Sequence, residues 1–166
     1  MMVPIIVLVV LADLVVDVLL LAWWIRRLRG EAVERIKELA EGESVYHVED
    51  CNFFGRMSKG YKQWRGNGIL ALTDRGLHFR QLLPRTEIFI PRDSISDISR
   101  SRSFLGKTRF KDLLRVDFAD GEGGKDACAW LVPSLEWWIA ALESLRVGEE
   151  PPAAPWKRGG LRTASD

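Results

Sequence analysis

The chain has little of what enzymes and metal centres are built from. Two cysteines, Cys51 and Cys128, and two histidines, His47 and His78, occur in 166 residues. There is no CxxC pair, no His pair at metal-ligand spacing and no Walker glycine loop. A zinc site, a dithiol redox motif and a nucleotide cradle therefore have no motif to rest on. His78 sits in a strand-like run beside Phe79 with no serine or cysteine motif nearby, and Asp74, Asp93 and Asp97 fall near turns, where short carboxylates cap backbone N–H groups. No catalytic residue, metal or cofactor is expected. One-sided charge is also missing: 24 Lys and Arg face 23 Asp and Glu, a net charge of +1. That balance argues against a general nucleic-acid binder. No Lys or Arg precedes Arg26, and Leu21, Trp23 and Trp24 replace the small residues that a signal-peptide cleavage site needs.

What is present first is the apolar run from Val3 to Ile25, whose 23 residues include sixteen Ile, Leu and Val. As a helix it would reach about 34 Å, enough to cross a hydrocarbon core of about 30 Å. Arg26, Arg27 and Arg29 follow it, so the positive-inside bias predicts a single-pass anchor over 1–29 in the cell membrane. Its N-terminus would lie outside and the C-terminal domain in the cytoplasm. Asp13 and Asp17 interrupt the run one helical turn apart, and each costs about 2.5 to 3.5 kcal/mol near a bilayer centre. This predicts an intramembrane interaction face that meets a second copy or a protein partner.

Residues 30–43 carry Val33, Ile36, Leu39 and Ala40 among charges, a helical spacing that predicts a stalk acting as a solvated connector. Gly30 would allow a bend and Gly42 a stop. From Ser44 the pattern changes to short alternating runs: Val45 to Asn52, Gly68 to Thr73, Leu77 to Leu83, Glu87 to Ile90, Ile95 to Ser99, Leu114 to Phe118 and Lys125 to Val132. Seven runs at this spacing predict an antiparallel sandwich or open barrel. After Pro133 and Ser134, the residues Leu135, Trp138, Ile139, Leu142 and Leu145 share a helical face that would cap one end, with Trp137 and Trp138 as core and rim packing. Residues 147–166, with Pro151, Pro152 and Pro155, read as a disordered tail, which leaves the domain over 44–146.

Three stretches give this order of elements a family likeness. Gly68-Ile69-Leu70-Ala71-Leu72-Thr73-Asp74-Arg75-Gly76-Leu77-His78-Phe79, then Ile90-Pro91-Arg92-Asp93-Ser94-Ile95, then Leu114 to Asp120 with Gly121 resemble the second hairpin, strand link and sixth strand of bacterial pleckstrin homology (PH)-like and GRAM-like domains. The resemblance implies a mainly β fold, a PH-like seven-stranded antiparallel barrel or sandwich with a C-terminal helix, here preceded by one transmembrane helix. It also implies non-enzymatic docking work, often at membranes.

Two basic stretches are the candidate ligand-binding residues. Arg56, Lys59, Lys62 and Arg65 lie in a segment from Cys51 to Thr73 that holds no acid but contains Phe53, Phe54, Tyr61 and Trp64. Arg100, Arg102, Lys107, Arg109 and Lys111 form the second. Basic side chains near an anionic leaflet are worth about 1 kcal/mol each, and aromatics lie well in the headgroup zone. The expected function is a membrane-anchored docking or adaptor module at the cytoplasmic face, binding anionic lipid headgroups or a protein partner. The alternative is an accessory subunit of a membrane complex gripped through Asp13 and Asp17. Nucleic acid is not an expected partner.

Overall fold

Alternation along each strand, rather than overall hydrophobicity, decides how this chain folds. In the computed structural model, which describes residues 2–108, 110–121 and 123–155, the second strand shows the rule most plainly. Leu70 and Leu72 point to the main core, while Ile69 and Ala71 point the other way and are buried by a helix. Successive strand residues face opposite sides, so a strand covered on both faces reads as a continuous apolar run.

The elements in order are α1 (Met2–Leu39), β1 (Val45–Arg56), β2 (Gly66–Thr73), β3 (Gly76–Gln81), β4 (Glu87–Pro91), β5 (Ile95–Ser101), β6 (Leu113–Ala119), β7 (Lys125–Leu131) and α2 (Leu135–Val147). Short 3₁₀ turns at Met57–Lys59 and Arg92–Ser94 follow β1 and β4. The seven strands form one antiparallel sheet in the order β4-β3-β2-β1-β7-β6-β5. β1 is the long shared strand. Its first part pairs with β2 and its last residues, from Asn52, pair with β7, with a bulge between Phe53 and Gly55. Such a bulge bends a strand and increases its twist. The bend lets both halves of the sheet contribute to one core, where Leu72, Phe79, Ile90, Val116 and Trp130 meet Trp138 and Leu142 of α2.

The last turns of α1 are part of the domain. Ala32, Ile36 and Ala40, spaced by four, are buried, and Ala32 and Ile36 pack on Ile69 and Ala71. Beyond Leu39, the buried Glu43 carboxylate meets His78 Nε2 at 2.9 Å and Arg75 at 3.6 Å. Ser44 and Asp74 exchange bonds at 3.0 Å, which ties the end of the helical segment to the β2–β3 turn. The residues expected to be a solvated connector are thus a docked helix, because small side chains on one face allow close approach to the sheet.

Two larger expectations are corrected here. The sheet is open: β4 and β5 are its two edges and do not pair, so the barrel is not closed. Seven antiparallel strands with a C-terminal helix stand, and closure does not. Among the described residues no helix is long and apolar enough to cross a membrane. Asp13 and Asp17 stand exposed within the apolar part of α1, and each would cost about 2.5 to 3.5 kcal/mol near a bilayer centre. The single-pass anchor over 1–29 is therefore withdrawn. With it go the assigned sides of the termini, the cell-membrane localisation, the integral-membrane partnership and both membrane-anchored functions, docking module and complex subunit alike.

Candidate binding surface at the loop end of the sheet

The turn after β1 is built by one glutamine and one aspartate. Gln63 Oε1 accepts the Arg56 N–H at 2.7 Å, and Gln63 Nε2 donates to the Arg56 carbonyl at 2.8 Å and to that of Gly60. Asp126, with no exposed side-chain surface, accepts from Ser58 N at 2.9 Å, from Ser58 Oγ at 2.7 Å and from the Arg56 guanidinium. Burial pushes the Asp126 carboxyl up, but the bonds from Ser58 and Arg56 outweigh it and hold it below the usual carboxylate range. The loop from Met57 to Arg65 therefore leaves the sheet from a fixed base.

The β5–β6 loop comes to lie beside it. Phe104 is buried with Phe54 and Leu113, and Phe104 and Lys107 exchange backbone bonds at 2.9 and 3.0 Å, closing a tight turn over Leu105 and Gly106. Gly106 has φ +69°, and a Cβ there would stand 3.5 Å from Cε1 of Tyr61. The two basic stretches therefore lie side by side at this point. Around it the surface is unusual: Tyr61, Trp64 and Phe110 are 74%, 78% and 97% exposed. Phe110 and Leu105 also hold positive φ, +57° and +47°. Non-glycine residues in this region cost about 1 kcal/mol or more, and such outliers gather at functional loops.

The basic residues named from the sequence divide into three groups. Lys59, Lys62, Lys107 and Lys111 are exposed and make no ion pair among the described residues. Arg56, Arg100 and Arg102 are engaged, with Asp126, Glu136 and Asp112 respectively. Arg65 is half-buried, and its Nε and Nη2 atoms have no hydrogen-bond partner. Arg109 lies outside the described residues. Asp13 and Asp17 are exposed on α1 without an ion pair among the described residues. A cleft of about 550 Å³ opens where Ile25 and Arg29 of α1 face Lys111 and Asp112, and Arg29 pairs with Asp50 at its rim. The exposed apolar part of α1, including Leu14, Leu21, Trp23 and Ile25, thus begins beside the β5–β6 loop.

Sequence reasoning missed Phe110 as a surface residue and missed a polar cluster behind α2. A lone phenylalanine between basic residues was the available signal for the first. In the second, Glu49 accepts from Trp138 Nε1 at 2.7 Å and from Ser134 Oγ at 2.7 Å, and lies 3.8 Å from His47 Nε2. Burial pushes the Glu49 carboxyl up, but His47, Ser134 and Trp138 around it prevail and hold it below its ordinary range.

No family model matches the chain, and no curated protein matches it in sequence. Among solved structures, it is similar to the crystal structure of the C-terminal domain of an unknown protein from Leishmania infantum, at 21% identity and a TM-score of 0.53 over 70% of this chain and 97% of that one. The resemblance to PH-like and GRAM-like domains on a transmembrane helix is accordingly corrected. What the structure and this likeness support is a fold: a mostly β domain of seven antiparallel strands and a C-terminal helix.

Proposed function

We propose that this chain is a non-enzymatic binding module that docks on an anionic lipid surface through the paired loops at 57–65 and 104–111. The observation that carries it is the nearness of Gly106 to Tyr61, which puts side by side two loops that hold Lys59, Lys62 and Lys107 and expose Tyr61, Trp64 and Phe110. Exposed aromatics beside unpaired lysines suit an interface that is apolar a few ångströms down and negatively charged at its surface. Exposed lysines without aromatics would be an ordinary solvated face. Three exposed aromatics in adjacent loops are not, because a folded chain gains by burying them.

The chemistry-bearing side chains support binding over catalysis. Both thiols are buried, and burial pushes Cys51 well above its ordinary value and Cys128 beyond the range where a thiolate forms at neutral pH. His78 is held by Glu43, and His47 lies between Trp137, Trp138 and Glu49; both rings are buried.

The test is co-sedimentation of the full chain with vesicles of phosphatidylcholine alone or with about a third phosphatidylserine. Three lysines at about 1 kcal/mol each amount to roughly a hundredfold in affinity. Lys59→Gln, Lys62→Gln and Lys107→Gln together should remove that preference for anionic vesicles, and added salt should do the same in the native chain. An equal preference for anionic over neutral vesicles in native and triply substituted chains would refute the reading. Anionic binding carried only by a co-purifying protein would assign the surface to a protein partner instead.

A further inference from the structure

At the junction of α2 and the start of β1, a second surface is covered by a segment of the chain itself. The indole N–H of Trp137 donates to the Pro152 carbonyl at 3.1 Å and to the Ala153 carbonyl at 2.9 Å. Pro151 beside them is buried, although it belongs to no strand or helix. The segment reads Glu149-Glu150-Pro151-Pro152-Ala153-Ala154-Pro155. Each proline fixes its own φ near −65° and drives the residue before it away from the helical region, so Glu150, Pro151 and Ala154 are all biased to extended backbone. Such a segment is stiff before it binds and leaves its carbonyls free of internal hydrogen bonds. An aromatic platform with an indole N–H at its edge is the chemistry that takes it.

The platform is set independently of the tail. Trp137 packs edge-on against Trp138, with ring centroids 5.2 Å apart, and against His47 at 4.5 Å. Trp138 is in turn fixed by its bond to Glu49, which also accepts from Ser134 at the start of α2. Glu49 therefore anchors the first turn of the helix that carries both indoles, which limits how far the Trp137 ring can move. A site pre-organised in this way loses little entropy on binding.

We propose that Trp137, backed by His47 and Trp138, is a docking site for extended proline-rich segments, occupied in this structure by residues 151–153 of the same chain. A partner's proline-rich segment binds there by displacing the tail, so the tail sets the threshold for partner binding. A tethered segment competes at an effective concentration of about millimolar, which weakens any free competitor accordingly. This site lies apart from the lysines of the loop end, and its test does not depend on vesicle binding.

The experiment uses the full chain and a variant with Pro151→Ala, Pro152→Ala and Pro155→Ala, which changes no residue of a strand or helix. The probe is the peptide Glu-Glu-Pro-Pro-Ala-Ala-Pro, and the readout is the indole N–H resonance of Trp137, assigned by its loss in Trp137→Phe. The variant should bind the peptide saturably with a shift at Trp137, and the native chain should need more peptide for the same shift, about tenfold more where the Kd in the variant is about 100 μM. Three results would overturn the proposal: no movement of the Trp137 resonance in the variant, an equal response to a peptide with all three prolines replaced by alanine, or equal affinity in native and variant chains.

Discussion

At the scale of single residues, this protein's ionisable groups act across strand pairings that sequence does not reveal. Arg56 reads as a free cation in a basic loop, yet it is bound to Asp126, seventy positions away, because the end of β1 lies beside the start of β7. Arg100 is likewise bound to a distant acid, Glu136, here on α2 rather than on a neighbouring strand. The composition of the basic stretches was legible; which cations were spoken for was not, since that depends on register. Asp126→Ala should cost about 1 to 3 kcal/mol, since the buried Asp126 carboxylate loses its bonds to Ser58 and Arg56 while Arg56 keeps some solvent, measured as a lower denaturation midpoint. Asp126, Glu49 and Glu43 all hold their protons less tightly folded than unfolded. The unfolded chain therefore binds more protons as pH falls. Their contribution to stability is present above the unfolded values near pH 4 and is lost as pH drops through the folded ones. Thermal melting should be nearly level between about pH 5 and pH 7 and should fall below about pH 4, with a shallower acid limb in Asp126→Asn.

At the scale of elements, the seven strands and α2 were legible because alternation and turn residues mark them directly. The ends of strands shifted by a few residues, as in β1, which continues through Phe53 and Phe54 to Arg56. The docked part of α1 was harder to read: Ala32, Ile36 and Ala40 form a narrow stripe in a strongly charged helix, and its partners Ile69 and Ala71 are hidden inside an unbroken apolar run. Ile36→Ala should cost about 2 to 4 kcal/mol, since Ile36 is buried against the sheet. A cost below about 0.5 kcal/mol would mean that this contact contributes nothing in solution. The β2–β3 turn gives a second check. Gly76 has φ +153°, and a Cβ there would stand 2.2 Å from the Ile90 carbonyl oxygen. Gly76→Ala should destabilise the fold by about 3 kcal/mol or more, well beyond an ordinary surface glycine. Closure of the sheet could not be read at all, because whether β4 meets β5 depends on accumulated bend and twist and not on any residue pattern.

At the scale of the whole molecule, the exposed apolar part of α1 begins beside the β5–β6 loop, and the unpaired lysines and exposed aromatics lie in that loop and its neighbour. The apolar stretch of α1 was legible as such; that no described helix is long and apolar enough to cross a membrane was not. An exposed apolar helix would bring the chain to any bilayer, neutral or charged, so vesicle binding alone does not isolate the loops. Trp64 does, because it sits in the loop after β1 and is largely exposed. The most direct measurement is therefore the fluorescence of Trp64, taken as the difference between the native chain and Trp64→Phe, on adding vesicles with brominated acyl chains. Quenching of Trp64 by phosphatidylserine-containing vesicles, lost at high salt and absent with phosphatidylcholine alone, is the predicted result. Binding of the chain to anionic vesicles with Trp64 left unquenched would contradict the account.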